Sequence, residues 1–437
     1  RCLVEEIGVP LARLGGVLLS FPRLLTLRAE DVLRPVAGFF RDEVGMSTEA
    51  LGKVVAAFPQ LLAMNVSRHL RPTVQWLCAV GVAPDKLERI IRQHPKTLGY
   101  SLDRNLRPKL HYLCDEVGVP RDRLGRLVAA FPQVLGLSVE LNLRLTVQYL
   151  VEEVGVSRAR VGKVVATFPQ LFGLSVERNL RPHAAFLVDE VGVPRERLGR
   201  MVESFPHLLA YNLDDNLRPS VRYLRDALGV PQGRIGRLVA AHPQVLGYSL
   251  EEKLAPMVDY LVGEVGVPRE CIPALVQRCP KLLGCSIDRN LRPTLRFLED
   301  EVGIPAALLG AVVAKYPTLL GLSVDRNLRP KLDFLRHEVK VADDALGQIV
   351  VTCPQLLAYS LERRIKPRYR LLSTRGLRLG LHSMLAPTDQ AFYQRYGDGL
   401  ASFPAVARAL LPSDDSATGN YYWHKDMAAL AAAAASA

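Results

Sequence analysis

Apolar and polar positions repeat along this chain with a period of 37 residues, which shortens to 36 once. In one copy, Leu180, Ala184 and Leu187 recur at the spacing that places them on one face of an α-helix. The apolar positions around Leu198 form one face of a second helix. The pattern therefore predicts a pair of amphipathic helices in every copy.

Prolines and glycines mark where these helices begin and end. A first proline recurs at positions 22, 59, 95, 132, 169, 206, 243, 280, 317 and 354, and a second at 35, 72, 108, 182, 219, 256, 293, 330 and 367, with Leu145 once in its place. The first proline cannot extend a helix and predicts a tight turn. The second proline falls in the first turn of the first helix, for which Asn179 is the predicted N-cap and Ser175 an alternative. Gly192 is expected to end that helix in the left-handed conformation.

Tandem repetition at this period is the signature of a solenoid. A single helix pair cannot cover its own apolar stripe, whereas stacked neighbours build one continuous core. We therefore predict an all-α, right- or left-handed superhelical solenoid of about ten 37-residue helix-pair repeats over residues 1–397. Residues 398–437 are expected to form a disordered, low-complexity tail that is rich in alanine and carries an aromatic cluster at 421–425.

The recurring motif resembles the mitochondrial transcription termination factor (mTERF) family. The copies are variations on Pro-x-Leu-Leu/Val, then Ser-x-x-x-Asn-Leu-Arg/Lys-Pro, then Glu-Val-Gly-Val, and the resemblance covers roughly residues 1–396. The run from Arg363 to Arg370, with Phe392 after it, resembles the way in which such chains close their last repeat. The resemblance implies a superhelical array, organellar targeting, and double-stranded nucleic-acid binding in transcription termination or other organelle gene expression. Some members of the family act on RNA, in splicing or in ribosome assembly.

The chain is basic, with 56 Lys and Arg residues against 44 Asp and Glu residues and a formal net charge of +12. This balance suggests a polyanionic partner, the alternative being a basic but inert surface. No apolar run approaches the ~20 residues of a membrane span. The seven cysteines include no Cys-x-x-Cys pair, which predicts neither a disulfide framework nor a zinc site. Cys279 and Cys353 occupy an apolar position of the repeat and are expected in the core.

Two sets of basic residues recur at fixed positions of the repeat and form the candidate nucleic-acid-binding site. The proline-adjacent set precedes the second proline and comprises Arg34, Arg71, Arg107, Arg144, Arg181, Arg218, Arg292, Arg329 and Lys366. The second-helix set lies six residues before the first proline and comprises Lys53, Arg89, Arg126, Lys163, Arg200 and Arg237. Equivalent positions of a solenoid line up along one surface, so each set predicts a stripe that can follow a phosphate backbone.

A structural role is the alternative for each set. The proline-adjacent arginines could instead bond the carbonyl ends of the preceding turn, and the sequence leaves both roles open. The second-helix set favours function, because Arg200 lies about 200° around the helix from apolar Leu198. That set also stops after Arg237, whereas a structural role would be expected in every repeat.

Acidic pairs such as Asp189 and Glu190 end several first helices, where negative charge is unfavourable. We expect arginines at the start of the next helix to offset them, for instance Arg121, Arg195 and Arg197. This arrangement would leave the two basic sets as the less compensated charge of the surface.

No constellation of residues predicts catalysis. Gly45 and Gly52 have six residues between them, whereas a phosphate-binding P-loop needs four, and helix ends and close packing explain these glycines. The sequence contains neither a His pair at metal-binding spacing nor a Gly-x-Ser-x-Gly motif. We therefore expect no catalytic residue, no metal, no cofactor and no enzymatic activity.

The leading hypothesis is a monomeric protein that binds double-stranded DNA or structured RNA in an organelle, without a membrane, and acts in transcription termination or regulation. Arg1 lies within a first helix, so we expect any organellar targeting segment, mitochondrial or chloroplast, to lie outside this sequence. One alternative is a protein that acts on ribosomal or intron RNA. Another is a helical scaffold that binds proteins.

Overall fold

A computed structural model describes residues 1–397, and all regular secondary structure in this range is helical. The predicted all-α repeat fold is confirmed. The described chain divides into two compact units, one of residues 1–258 with 272–284, and the other of residues 259–271 with those from 285 onward. A single array over residues 1–397 stays a prediction, and the predicted tail and aromatic cluster lie outside the described residues.

The first helix of each repeat combines an α-helical segment with five-residue π-helical turns. The first helices occupy residues 29–43, 66–79, 102–116, 139–153, 176–190, 213–227, 250–263, 287–301, 324–337 and 361–374, and Cys2–Glu5 is an incomplete copy. A glycine with positive φ follows most of them, including Gly192 at +79°, as predicted.

The N-cap of the first helix is the serine. The Arg178 amide donates to Ser175 Oγ at 3.2 Å, while the Ser175 amide donates to Asn179 Oδ1 at 3.1 Å. The prediction of Asn179 as the cap is wrong and the alternative, Ser175, is confirmed. The physical reason is reciprocal capping, in which the serine caps the helix and the asparagine satisfies the amide of the serine. Pro182 therefore lies inside the helix, directly after the π-helical turn Val176–Leu180.

The second helices are shorter and lie between the glycine and the first proline. They are Leu11–Ser20, Thr48–Ala57, Pro84–Gln93, Arg121–Ala130, Arg158–Thr167, Arg195–Ser204, Gln232–Ala241, Ile272–Arg278, Ala306–Lys315 and Asp343–Thr352, with a 3-10 turn Arg269–Cys271 before the eighth. Apolar residues on one face, such as Leu198 and Val202, are fully buried. The second helix thus contributes one face to the core and leaves the other to solvent.

The predicted tight turn after the first proline is a single 3-10 turn, which buries one or two apolar residues in most repeats. These turns are Pro22–Thr26, Pro59–Ala63, Pro95–Gly99, Pro132–Gly136, Pro169–Gly173, Pro206–Ala210, Pro243–Gly247, Pro280–Gly284, Pro317–Gly321 and Pro354–Ala358. Cys353, immediately before the last of them, is buried as expected. At the C-terminal end, Leu381–Leu385 and Asp389–Tyr396 close the last repeat around the buried Arg368, which pairs with Asp389 and lies over the Phe392 ring.

Consecutive repeats approach most closely at a pair of glycines. Gly118 ends a first helix, and its carbonyl oxygen lies 2.1 Å from the position that a Cβ on Gly162, in the next second helix, would occupy. The same pairing joins Gly8 to Gly52, Gly81 to Gly125, Gly155 to Gly199 and Gly192 to Gly236 in the first unit, and Gly266 to Gly310 and Gly303 to Gly347 in the second. Any side chain at the second glycine would hold the repeats apart. Close packing therefore explains these glycines, as the sequence predicted.

A column of buried polar residues also connects neighbouring repeats. The residue after the second proline is buried and polar as Thr73, Lys109, Thr146, His183, Ser220, Thr294, Lys331 and Arg368. Several of these side chains reach a backbone oxygen of the next 3-10 turn or the residue after it: Lys109 Nζ donates to the Leu135 oxygen, and Lys331 Nζ to the Leu357 oxygen at 2.6 Å. These bonds satisfy backbone acceptors that would otherwise be buried without a partner.

Replacing Gly162 by alanine should destabilise the protein by about 1–3 kcal/mol, because the new methyl group would overlap a backbone oxygen that cannot move freely. Gly233→Ala is the matched control, since a Cβ there meets no atom within 4 Å and the residue is exposed. The control should be neutral or stabilising by up to about 1 kcal/mol. Unfolding in denaturant measures the stability of both variants. An equal loss of stability in the two would contradict this packing.

Stability should rise with pH between about 8 and 10, because burial lowers the pKa of Lys109 and the pKa of Lys331 to about 8. An unfolded lysine keeps its proton up to a pKa of about 10.4, so in this window the unfolded chain holds more protons than the folded chain. The gain should be on the order of 1 kcal/mol per lysine between pH 7.5 and 9.5.

Chemical denaturation at the two pH values checks this gain. Lys109→Met/Lys331→Met should lose most of the pH dependence, and the apolar replacement fits the site because Met257, 1% exposed, holds the same position in another repeat. An unchanged pH dependence in the double variant would show that neither lysine causes it.

Candidate nucleic-acid interface

The second-helix set lies on the exposed face of the second helices. Arg126 is exposed, while Leu124 and Leu127 on either side of it are buried. The same holds at each repeat of the set, in which all six Lys and Arg side chains are exposed. The amphipathic pattern of the helix thus fixes where these cations point.

Contacts between consecutive second helices bring the set together. From Leu11–Ser20 to Gln232–Ala241, each second helix packs against the next, all within the first compact unit. Packed helices lie about 8–10 Å apart, so equivalent side chains follow one another at that interval. The six predicted residues therefore form one row on one surface of this unit.

A second row, which the sequence analysis missed, runs beside the first. It lies three residues earlier on five consecutive second helices and comprises Lys86, Arg123, Arg160, Arg197 and Arg234, all exposed. Positions three apart are neighbours on a helix surface, so the two rows form one band. The signal was present in the sequence as a second 37-residue recurrence. It was overlooked because Arg197 was assigned to offset acidic helix ends.

The band concentrates the positive charge of the chain. The five second helices between residues 84 and 241 carry fourteen Lys or Arg residues against five Asp or Glu residues. In the second unit, Ala306–Lys315 and Asp343–Thr352 together carry one Lys and two Asp residues. A field of one sign over neighbouring helices attracts a long polyanion.

Most cations of the band are not neutralised by the protein. Among residues 1–397, the side chains of Arg123, Arg126, Lys163, Arg197, Arg200, Arg234 and Arg237 have no hydrogen-bond or ion-pair partner. The other four cations have partners: Lys53 pairs with Glu49 at 2.7 Å, Lys86 with Asp85 at 2.8 Å and Arg160 with Glu203 at 3.6 Å, and Arg89 donates to the Ala129 oxygen at 2.7 Å. The seven unpaired cations are therefore available to a ligand.

The proline-adjacent set has a different environment. Arg181 pairs with Glu177 on its own helix and with Glu153 at the end of the preceding first helix, where Nη2 lies 2.9 Å from Oε1. Its guanidinium carbon also lies 5.3 Å from the centre of the Tyr149 ring. Arg181 thus joins two consecutive first helices, and we call this arrangement the arginine clamp.

The clamp recurs at a constant spacing of 28 residues between the carboxylate and the arginine. The pairs are Glu6 with Arg34, Glu43 with Arg71, Glu116 with Arg144, Glu153 with Arg181, Glu190 with Arg218, Glu264 with Arg292 and Glu301 with Arg329. Where Ala255 replaces the arginine, Ala227 occupies the carboxylate position as well. In this repeat the arginine and its carboxylate partner are therefore absent together.

The clamp shifts the ionisation of its partners. Hydrogen bonds from Arg218 hold the pKa of Glu190 below its usual value, and Arg71 has the same effect on the pKa of Glu43. A lowered carboxyl pKa contributes stability at neutral pH that is lost as the pH falls through the folded-state pKa. The clamp is thus a feature that stabilises the fold near neutrality.

The expectation that the proline-adjacent set is uncompensated is wrong, because the carboxylates at the helix ends pair with the next first helix and not with Arg195 or Arg197. The predicted ion pair at the start of a second helix occurs between Arg121 and Asp115, at 3.5 Å. These clamps give the proline-adjacent set a structural role, but through carboxylates and not through the carbonyl ends that the sequence analysis proposed. Nucleic-acid contact by Arg34, Arg71, Arg107, Arg144, Arg181, Arg218, Arg292 and Arg329 stays a prediction.

The described residues hold no other candidate chemistry of comparable extent. Within residues 1–397 there is no group of three or more His, Cys, Asp or Glu residues placed to hold a metal ion. In the same part of the chain, every helix falls short of the length and apolar character that crossing a bilayer requires.

A comparison with protein families agrees with the repeat motif. The mTERF family model matches residues 2–194 and again residues 188–393, which together span nearly all of the described chain. A search of curated proteins finds no match.

The two basic sets should respond differently to truncation. Arg181→Ala should lower the thermal unfolding midpoint, because it removes a clamp between two first helices, though by less than Gly162→Ala. Arg126→Ala should leave the midpoint unchanged, since its side chain has no partner among the described residues. Calorimetry of both variants measures this, and an equal loss from both would contradict the division into a structural and a free set.

Proposed function

The chain belongs to the mTERF family, and on this premise we propose that it binds double-stranded nucleic acid in an organelle and regulates transcription there, including its termination. The family comprises helical-repeat proteins that bind nucleic acids in organellar gene expression. The proposal for this chain rests on that membership and on the charge of its own surface.

The observation that carries the proposal is the unpaired basic band of the first unit. Seven of its cations have no partner among residues 1–397, and they lie on consecutive helices that pack side by side. A guanidinium group binds phosphate through two parallel hydrogen bonds, so a row of them suits a polymer with regularly spaced phosphates. The predicted Lys53, Arg89, Arg126, Lys163, Arg200 and Arg237 are the residues that we assign to this contact.

Binding of this kind acts by occupancy. Contacts from Lys and Arg to phosphates fix the position and orientation of a protein on a duplex but carry no sequence information by themselves. A protein held along several phosphates obstructs a polymerase without catalysing a reaction. In our proposal the protein therefore regulates transcription as a bound obstacle in a mitochondrion or a chloroplast.

The triple variant Arg126→Ala/Lys163→Ala/Arg200→Ala should bind duplex DNA about tenfold or more weakly than the wild type, with the fold intact by circular dichroism. The slope of log affinity against log salt should become less steep by about 0.9 for each phosphate contact that is lost. Fluorescence anisotropy with a labelled duplex at several salt concentrations measures both quantities.

Arg41→Ala/Arg225→Ala/Arg296→Ala is the matched control, because it removes the same charge from exposed positions of first helices. It should keep the wild-type affinity and salt slope. Equal weakening by both triple variants would show that net charge, and not the band, determines binding. Binding of duplex RNA in preference to DNA would favour the alternative action on organellar RNA, and binding of neither would favour a protein-binding scaffold.

A further inference from the structure

One first helix is a residue shorter at its C-terminal end, and an arginine clamp is incomplete there. Most first helices end in Glu-Val-Gly, as at Glu116, whereas the helix 66–79 ends in Ala79, Val80 and Gly81. Its last turn closes with a bond from the Val80 amide to the Trp76 oxygen at 2.9 Å, without the π-helical turn that ends the next first helix. The shortened end places alanine at the carboxylate position of the clamp.

Arg107 has consequently lost its partner on the preceding helix. Among residues 1–397 it pairs only with Asp103, four residues earlier on its own helix. Its side chain is 63% exposed, against 34–47% for the clamped arginines of the other repeats. At Ala227 and Ala255 both partners of a clamp are absent, whereas here the arginine remains without its carboxylate.

Arg121 also lacks a bond that occurs at this place in two other repeats. There the first residue of the second helix donates to the oxygen of the residue that ends the first helix one repeat earlier. Arg158 donates to the Glu116 oxygen at 2.6 Å, and Gln232 donates to the Glu190 oxygen at 2.9 Å. The equivalent acceptor for Arg121 is Ala79, but Arg121 instead lies 3.5 Å from Asp115 and is 81% exposed.

Arg107 and Arg121 both line a cleft of about 330 Å³. Trp76 contributes to one wall, and His111 and Cys114 lie on the first helix opposite. The volume is within the range of sites for small ligands. Arg121 belongs to the second helix that also carries Arg123 and Arg126, so the cleft adjoins the basic band.

We propose that this cleft is a phosphate-binding site, in which Arg107 and Arg121 hold one phosphate group of a nucleic-acid strand or of a free nucleotide. The site rests on the proposed function in one respect, since a strand on the basic band is the nearest source of phosphate. It is peculiar to this repeat, because Arg107 is the one member of the proline-adjacent set without a carboxylate 28 residues earlier in the sequence.

The acidic groups that face the arginines are weak competitors for them. Asp103 is 77% exposed, and Asp115 is shared between Arg121 and His111, whose Nδ1 lies 2.6 Å from Oδ2. Ion pairs between exposed side chains are weak because water screens them. The phosphate monoester of a nucleotide carries more charge and more acceptor oxygens than one carboxylate, and a strand phosphate carries the same single charge, so both can compete for these arginines.

Trp76 offers a direct readout of occupancy. The chain has two tryptophans, and the variant Trp423→Phe leaves Trp76 as the sole one, without altering any described residue. In this background we would titrate the full chain with a duplex oligonucleotide and, separately, with adenosine monophosphate. The Trp76 fluorescence should change on binding of either ligand that enters the cleft.

Two variants and a matched control test the site. Ala79→Glu places a carboxylate opposite Arg107, and Arg107→Ala removes the guanidinium group. Each variant should abolish the change in Trp76 fluorescence and weaken oligonucleotide binding about three- to tenfold. The slope of log affinity against log salt should become less steep by about 1. Ala227→Glu is the matched control, because it adds the same charge at the equivalent position of another repeat, in which Ala255 replaces the arginine. It should leave the Trp76 fluorescence change and the oligonucleotide affinity as in the wild type.

The outcomes separate this inference from the proposed function. If the second-helix triple variant loses affinity while Ala79→Glu and Arg107→Ala do not, the basic band stands and the cleft site is wrong. A second outcome is that no oligonucleotide binds, while adenosine monophosphate changes the Trp76 fluorescence and Ala79→Glu abolishes that change. In that case the cleft is a free-nucleotide site and the proposed function is wrong. A Trp76 signal that neither ligand changes would overturn the site.

Discussion

Close approach between successive backbones is the constraint on which the rest of this structure depends. The oxygen of a left-handed glycine such as Gly118 lies where a β-carbon on Gly162 would be, so the repeats can pack at this distance only if the second residue is glycine. The distance between repeats in turn determines which other residues meet. The buried polar column and the arginine clamp both span one repeat step, and both need that step to be short.

Two systems of positive charge follow from the same periodicity but serve different ends. The clamped guanidinium groups are surrounded by carboxylates and aromatic rings of their own chain, and they join first helices that lie side by side. The cations on the second helices project from the side opposite the core, and seven of the eleven in the band find no partner there among the described residues. Periodicity alone therefore does not distinguish an internal connection from a binding surface. The presence of an acceptor one repeat away distinguishes them.

The sequence predicted the repeat, the helix pair, the tight turn at the first proline and the left-handed glycine, because each follows from local backbone preferences. It did not predict the partner of Arg181, since that partner is set by how neighbouring repeats pack and Glu153 lies in another repeat. A signal was nevertheless available in the constant spacing of 28 residues and in the joint absence at Ala227 and Ala255. The choice between Ser175 and Asn179 as cap could not be made locally, because both residues take part in the cap.

The repeat that carries Ala227 combines two departures at a single junction. Besides the missing clamp, an added Cβ on Gly229 would lie 3.4 Å from the ring of Pro273, whereas seven other junctions pair two glycines. The stability of a solenoid is approximately a sum over its repeats and the junctions between neighbours. A junction without two of the usual connections is where such a chain parts first under heat or mechanical load, so unravelling of this unit starts from within the array and not only by fraying from its ends.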